Sequence, residues 1–324
     1  MSTAPDDWVP LKTLRETTDI SSLCKNQNGE PQLAKDYDYA NAVLSAWRED
    51  AKAFRSDGCD SFGHSCIYKR KDGVEFNGYI VAPSTLVEQD SEDSRPIVLL
   101  FHTGAGPQDI FLRWKADCLV QELECVVMIV DIISDRDGFA WTNREQYETA
   151  RKDIFSVFER NGIKGRWNLR DTLDSALDYL HGLHYVNTSR VAGMGYCMGG
   201  HPIFELGMMR KENVKALISY HGVFDGASQH KSQSESISTV SSTKILICNG
   251  KKDPFVPTQD LESAVDLLRK AGNDVDVKLF DCFHGFTNPA QDYNPSDAFA
   301  FNEEAASSSW DATIHLLRKQ LFDN

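Results

Sequence analysis

One cysteine stands among glycines in a segment that follows a run of apolar residues. The segment is GMGYCMGG, residues 193–200, with Cys197 near its centre. The residues RVAGMG (190–195) predict a buried strand, so the cysteine comes where that strand ends. G-x-C-x-G is the pattern of a sharp strand-to-helix turn that exposes a nucleophile. Only small side chains fit two positions before and after the nucleophile, where the chain crosses close to itself, which accounts for Gly195 and Gly199.

This turn also favours a reactive sulfur. The helix predicted to begin after Cys197 presents its N-terminus to the thiol, and the partial positive charge there favours thiolate. The alternative is an inert cysteine buried at a tight turn, which is the commoner role of a cysteine. Side chains elsewhere in the chain decide between these interpretations.

An aspartate and a histidine follow two later predicted strands. Asp253 comes after KILICNG (244–250), and His284 comes after DVKLFD (276–281). The chain therefore has a nucleophile, an acid and a histidine in that order, each after a strand. A known catalytic triad has the same order. We therefore predict that Cys197 attacks a carbonyl, that His284 takes its proton and later activates water, and that Asp253 orients the imidazole. Taken singly, the aspartate could be a turn residue before proline and the histidine a loop residue before glycine.

The segment LLFHTGAG (99–106) ends another buried strand and offers backbone donors for an oxyanion. One N–H is expected from this segment and the other from Met198, directly after the nucleophile. We expect His102 to have a structural role and His201 to pack within its helix or to tune the thiol. His221 ends a further strand and is a candidate pocket residue. The spacing of histidines and acids predicts no metal site.

Composition limits the classes of function. The chain has 324 residues, a formal net charge of −14 and 41% hydrophobic residues, as in soluble globular proteins. Nucleic acid and anionic membranes are not expected as main partners, because both require basic surface. No apolar run reaches the roughly 18 residues of a membrane span, and we expect a cytoplasmic protein. The eight cysteines form no C-x-x-C pair and are expected to be free thiols.

Apolar runs alternate with amphipathic segments through most of the chain, which predicts a mostly parallel sheet with helices on both faces. An amphipathic helix is predicted over 37–54, whereas residues 1–35 show no sustained period and are expected to be irregular. We therefore divide the chain into an N-terminal extension, 1–60, and a main domain, 61–324.

Local signals predict two further boundaries. The charged segment 143–161 is predicted to be a surface helix. Asn168 is a candidate N-cap for the helix that follows, because asparagine is favoured at that position.

Together these segments resemble the dienelactone hydrolase family of the α/β-hydrolase superfamily. The resemblance runs from about Ser65 to the C-terminus and is carried by DGVEFNGYIVAP, VLLFHTGAG, GYCMGG, SYHG, NGKKDPFVP and FHGF. It implies an α/β-hydrolase fold and hydrolysis of esters or lactones by a Cys-Asp-His triad, without a cofactor. It also implies that Gly104 provides the first oxyanion N–H.

Two positions depart from the family pattern. The founding enzymes carry a glutamate after the first buried strand, where this chain has Thr103, which cannot act as a base. They bind the substrate carboxylate through an arginine four residues after the histidine, where this chain has Asn288, and a neutral amide cannot make that bidentate pair. Dienelactone itself is therefore not the expected substrate. The predicted pocket residues are Thr103, His221 and Phe286, with packing as the alternative for Phe286. The segments 141–155 and 227–243 are expected to border the pocket.

Three functions are compatible with these residues. The first is a cysteine hydrolase of a small ester, lactone or thioester, acting as a monomer or homodimer. The second is an inactive hydrolase scaffold that serves as a binding protein, for which Thr103 is the best support. The third is a redox sensor in which Cys197 is oxidised, with Cys248 or Cys282 approaching it in space.

Overall fold

The structure, a computed structural model, describes residues 8–16, 36–54, 60–87, 93–134, 144–160, 162–227 and 243–323. Of the segments predicted to border the pocket, residues 141–143 and 228–242 lie outside the described residues. The predicted triad and both predicted oxyanion donors lie within them.

The described residues contain one large sheet and a separate pair of strands. The strands are β1 (Val9–Pro10), β2 (Ser61–Lys69), β3 (Glu75–Pro83), β4 (Arg95–Phe101), β5 (Val126–Val130), β6 (Phe158–Arg160), β7 (Ile163–Gly165), β8 (Val186–Tyr196), β9 (Val214–Tyr220), β10 (Lys244–Gly250) and β11 (Asp274–Phe280). The strand order in the large sheet is β1-β2-β3-β5-β4-β8-β9-β10-β11. Neighbouring strands are parallel from β5 across to β11, and the pairs from β1 to β5 are antiparallel. The separate pair, β6 and β7, is antiparallel. The predicted mostly parallel sheet is confirmed.

Helices cover both faces of this sheet, as predicted. They are α1 (Leu11–Glu16), α2 (Asp36–Ala53), α3 (Ser84–Val87), α4 (Ile110–Leu123), α5 (Arg144–Phe155), α6 (Trp167–His181), α7 (Gly200–Met209), α8 (Thr258–Lys270) and α9 (Glu303–Leu321). One apolar core lies under α6, α7 and α8, and the other lies under α2, α4 and α9. Successive strand residues point to opposite faces, so Leu99 is buried in one core and Leu100 in the other. Within the described residues, no helix has the length and apolar character needed to cross a membrane.

Two predicted boundaries are wrong. The helix predicted over 143–161 ends at Phe155, because the chain turns there into the β6-β7 pair. α6 begins at Trp167 with Arg166 as its N-cap, so Asn168 lies inside the first turn. The Asn168 amide instead donates to both the backbone oxygen and the carboxylate of Asp153, which joins α6 to α5.

The N-terminal extension packs against the rest of the chain. The expectation of irregular structure before residue 36 is wrong for 9–16, where β1 pairs with β2 and Leu11 is fully buried. The carboxylate of Asp117 in α4 accepts hydrogen bonds from Trp47 Nε1 at 2.6 Å and from Arg15 at 3.0 Å, and also from the Ser61 hydroxyl. The extension is thus anchored on α4, and its division from the main domain at residue 60 stays a prediction.

Candidate active site

Cys197 lies on the turn between β8 and α7, where the parallel strands end. Its φ of +53° is in the left-handed region, which costs a non-glycine residue on the order of 1 to 3 kcal/mol. A Cβ on Gly195 would lie 2.2 Å from the carbonyl oxygen of Gly199, and a Cβ on Gly199 would lie 2.8 Å from that of Phe101. Of the six described cysteines, Cys197 alone is partly exposed. The glycine spacing therefore has the predicted cause.

Substitution of Gly195 by alanine is expected to destabilise the fold by about 3 kcal/mol, because the added methyl meets backbone that cannot move aside. Urea unfolding should show this as a lower midpoint with an unchanged slope. Gly182→Ala is the matched control: its φ of −78° suits alanine, and its nearest neighbour lies at 3.3 Å. Equal midpoints for the two variants would contradict the close crossing.

The structure brings His284 and Asp253 to Cys197. Asp253 follows β10 and His284 follows β11, as predicted. His284 Nδ1 donates to Asp253 Oδ2 over 2.7 Å, and the other carboxylate oxygen accepts the backbone N–H of Phe255 at 2.9 Å. The Cys197 thiol is hydrogen-bonded to the same imidazole. Thiol, imidazole and carboxylate therefore form a continuous chain in which the carboxylate fixes the ring.

The charges of these three hydrogen-bonded groups favour an ion pair between the Cys197 sulfur and the His284 imidazole. Burial alone would raise the pKa of the Cys197 thiol, but the charge of His284, its hydrogen bond and two backbone N–H groups bring that pKa below its ordinary value. Burial alone would lower the pKa of His284, but the negative charge of Cys197 and the bond to Asp253 raise it to about 10. Both shifts favour the state in which the proton resides on the imidazole and the sulfur is a thiolate.

The two backbone N–H groups at the sulfur belong to Gly104 and Met198. Gly104 lies in residues 102–109, here named the oxyanion loop, which join β4 to α4. Thr103 shapes this loop: its hydroxyl accepts the N–H of Ala105 at 3.0 Å, and its carbonyl accepts the N–H of Gly106 at 3.2 Å. Both predicted donors thus lie at the nucleophile, next to the place where an oxyanion would form if the sulfur attacked a carbonyl.

Comparison with known proteins identifies the family of the chain. The model of the dienelactone hydrolase family matches residues 126–321, which is more than half of the chain. The chain belongs to the dienelactone hydrolase family. An uncharacterized protein of Caenorhabditis elegans is 22% identical over 162 residues, covering 50% of this chain and 96% of that protein.

Two solved structures resemble this dienelactone hydrolase family member over 81% of its length and 99% of theirs. The one named m3DLH has a TM-score of 0.65 at 20% identity. A dienelactone hydrolase-like promiscuous phosphotriesterase from metagenomic libraries has a TM-score of 0.63 at 21% identity. At these identities the two structures show the fold, which is the α/β-hydrolase fold.

Asn288, at a position where the chain departs from the family pattern, is held by hydrogen bonds within the protein. The Asn288 side chain is 4% exposed, and both ends of its amide are engaged. Nδ2 donates to the Tyr39 hydroxyl over 2.7 Å, and Oδ1 accepts the N–H of Ala290 at 3.0 Å. Asn288 therefore binds the protein itself.

Two of the predicted pocket residues pack behind His284. The His221 ring meets the His284 ring edge-to-face at 4.6 Å between centroids, and its Nε2 lies 3.4 Å from the Thr287 hydroxyl. Phe286 is fully buried and packs against His221 and Phe280. Phe286 is therefore a packing residue and not a pocket residue, and His221 supports the His284 ring.

Two aromatic residues that the sequence analysis missed lie beside His284. The rings of Phe255 and Phe299 lie 5.0 and 5.2 Å from the imidazole and 5.2 Å from each other, and Phe255 is 45% exposed. Phe255 could have been found, because it follows Asp253 by two residues. No sequence pattern could have identified Phe299, because it reaches the site only through a backbone pairing with His284.

His102 has the expected structural role, and His201, for which the sequence allows two roles, is structural as well. His102 accepts the N–H of Ile132 at Nε2, and its Nδ1 donates to the Thr103 carbonyl over 2.7 Å. His201 bonds to Arg166 at 2.6 Å and to Asp225 at 3.1 Å. Burial lowers the pKa of both histidines to about 4, so each is a neutral hydrogen-bonding group.

Neither predicted redox partner has a reactive thiol. Cys248 and Cys282 are buried, and burial raises the pKa of each to about 12. A thiol with that pKa is a poor source of the thiolate that disulfide exchange requires. Separately, no group of three or more metal-ligating acids, histidines or cysteines occurs among the described side chains.

Proposed function

We propose that the protein is a cysteine hydrolase of small, uncharged carboxylic esters or lactones that acts through an acyl-enzyme. The main support is one observation: a partly exposed, strained cysteine is hydrogen-bonded to an imidazole whose other nitrogen bonds to a buried carboxylate at 2.7 Å. A cysteine with only a packing role requires neither the left-handed backbone nor the paired imidazole. The family membership supports hydrolysis in general.

Acylation begins from the ion pair. The Cys197 thiolate attacks the carbonyl carbon, and the carbonyl oxygen takes over the N–H groups of Gly104 and Met198 that face the sulfur in the resting site. The tetrahedral intermediate then collapses as the His284 imidazolium donates its proton to the leaving alcohol oxygen. The product is a thioester on Cys197, and the imidazole is left neutral.

Deacylation reuses the same groups. The neutral His284 accepts a proton from a water molecule while the water oxygen attacks the thioester carbonyl. The two backbone N–H groups again bind the oxyanion, and the sulfur leaves as thiolate. Asp253 holds the ring in one orientation through both halves of the reaction, because its carboxylate is fixed by the Phe255 N–H.

The surroundings of the triad favour an uncharged substrate. The amide of Asn288 is occupied by Tyr39 and Ala290, so this position does not offer the carboxylate contact of the founding enzymes. The exposed Phe255 ring and its neighbour Phe299 provide apolar surface beside His284. A free carboxylate placed against these rings would lose hydration without gaining a partner.

We expect kcat/KM for 4-nitrophenyl hexanoate to exceed that for the 4-nitrophenyl monoester of adipic acid by at least about tenfold. The two esters have equal chain length and differ in one terminal carboxylate, so initial rates of 4-nitrophenolate release compare them directly. A preference for the anionic ester would overturn the assigned substrate class. Should no ester, lactone or triaryl phosphate in a wider panel be hydrolysed above the buffer rate, the hydrolase itself is rejected.

A further inference from the structure

The two loops that serve Cys197 come from strands that are not neighbours. The oxyanion loop follows β4, whereas residues 281–288, here named the histidine loop, follow β11. β8, β9 and β10 lie between these strands in the sheet. Sheet hydrogen bonds therefore do not join the two loops directly, and a contact between the loops would add to what the sheet does to fix their separation.

The Tyr39 hydroxyl joins the two loops. It accepts a hydrogen bond from Asn288 Nδ2 of the histidine loop over 2.7 Å and donates to Asp109 Oδ2 of the oxyanion loop over 3.1 Å. Asn288 is 4% exposed and Asp109 is 3% exposed, so Asn288 Nδ2 and Asp109 Oδ2 have little access to water and depend on this hydroxyl. The donor and acceptor capacities of one side chain thus connect both sides of the site.

Each end of this link is coupled to a group that contacts the sulfur. The N–H of Asp109 bonds to the Gly106 carbonyl, and the N–H of Gly106 bonds to the Thr103 carbonyl, so two consecutive turns lead back to Gly104. On the other side, the N–H of Asn288 bonds to the carbonyl of Gly285, which directly follows His284. A displacement of either anchor would be passed to its loop over a few residues.

Helix α2, which carries Tyr39, is held firmly on α4. Trp47 bonds to the buried Asp117, and Asp50 accepts a hydrogen bond from Trp114 Nε1 at 3.0 Å. Both contacts are made to α4, and Asp109 is the N-cap of that helix. The N-terminal extension is therefore anchored independently of the hydroxyl, and it can act as a fixed support for both loops.

We propose that Tyr39 is a positioning residue that sets the distance between the Gly104 N–H and the His284 imidazole at Cys197. The proposal gives the N-terminal extension, which lies outside the family match, a role in the site. Only the expected change in kcat rests on the proposed function. The effect on the sulfur itself is independent of any substrate.

The test compares Tyr39→Phe with Trp47→Phe in the full-length chain. Tyr39→Phe loses two hydrogen bonds, one from Asn288 and one to Asp109, and with them the link between the loops. Trp47→Phe loses one hydrogen bond, to Asp117, which anchors the extension on α4.

Alkylation of Cys197 by iodoacetamide is measured against pH by mass spectrometry of its peptide. We expect the pH midpoint of alkylation to rise by about half a pH unit or more in Tyr39→Phe, because the Gly104 N–H and the His284 imidazole, which stabilise the thiolate, are both displaced. In Trp47→Phe the midpoint should stay unchanged.

Turnover of the best ester provides the second readout. In Tyr39→Phe, kcat should fall about tenfold with KM within about twofold, since the misplaced groups act on the transition state. Asn288→Ala should shift the alkylation midpoint in the same direction, and the double variant should shift it no further. Equal midpoints for wild type and Tyr39→Phe, or equal shifts in Tyr39→Phe and Trp47→Phe, would overturn the proposal. A shifted midpoint in a protein that hydrolyses no ester would reject the proposed function and leave the positioning role standing.

Discussion

Replacement of Cys197 by alanine is expected to lower kcat/KM for 4-nitrophenyl acetate by roughly 10³-fold or more. The substitution removes the atom that would form the acyl-enzyme, so what is left is the catalysis provided by the oxyanion hole and the histidine acting on water. Stopped-flow absorbance should also show the loss of any burst of 4-nitrophenolate, because the burst reports the acylated sulfur.

The matched control is Cys125→Ala. Cys125 is fully buried in the core under α2, α4 and α9, so its loss costs packing and leaves the site intact. We expect a lower melting temperature and an unchanged kcat. Equal low rates in wild type, Cys197→Ala and Cys125→Ala would reject the enzyme and favour the binding scaffold.

Cys197→Ser refines the same experiment. A serine hydroxyl has a far higher pKa than a thiol, so it would not form the resting ion pair and must lose its proton to His284 during attack. We expect activity between those of wild type and Cys197→Ala. Activity equal to wild type would mean that the ion pair is not the source of the nucleophile's reactivity.

The parts of the fold that could be predicted from sequence are those set by local rules. The buried strands follow from short apolar runs, because parallel strands covered on both faces need apolar residues throughout. The nucleophile turn follows from Gly195 and Gly199, since close backbone crossing excludes a Cβ there. The order of Cys197, Asp253 and His284 then predicts their meeting, because strands of one sheet end along one edge.

The parts that failed depend on contacts between distant segments. Asn168 was predicted as an N-cap, but its amide bonds to Asp153 on the preceding helix. Phe286 was predicted near the substrate, but the tertiary packing places it behind His221. The role of Tyr39 is visible only in three dimensions, because its two partners lie 70 and 249 residues away in the chain.

Thr103 illustrates why a departure from a family pattern does not decide function by itself. Threonine cannot replace a glutamate as a base, which favoured the inactive scaffold. In the structure the Thr103 hydroxyl accepts the Ala105 N–H and supports the loop that presents Gly104. His284 and the two backbone donors favour the thiolate, so the proposed mechanism does not require a base at position 103.

Replacement of His284 by alanine is expected to raise the alkylation midpoint of Cys197 by at least about one pH unit and to lower kcat/KM by roughly 10³-fold. In wild type the thiolate exists above the lowered pKa of Cys197 and is lost as pH falls through it. The imidazolium persists up to the raised pKa of His284, about 10. The ion pair therefore occupies the window between these two values. Without the imidazole, burial still raises the pKa of the thiol, and the lower limit of that window moves upward.

Two further variants define this result. Asp253→Asn keeps a side chain of the same shape but removes the negative charge at His284 Nδ1, so we expect an intermediate shift of the midpoint. His315→Ala alters an exposed histidine on α9 and should leave the midpoint unchanged. The decisive comparison is between His284→Ala and wild type, because the shift depends on the charge of one ring. If their midpoints coincided, the sulfur would owe its reactivity to the backbone donors alone, and the triad would lose its central member.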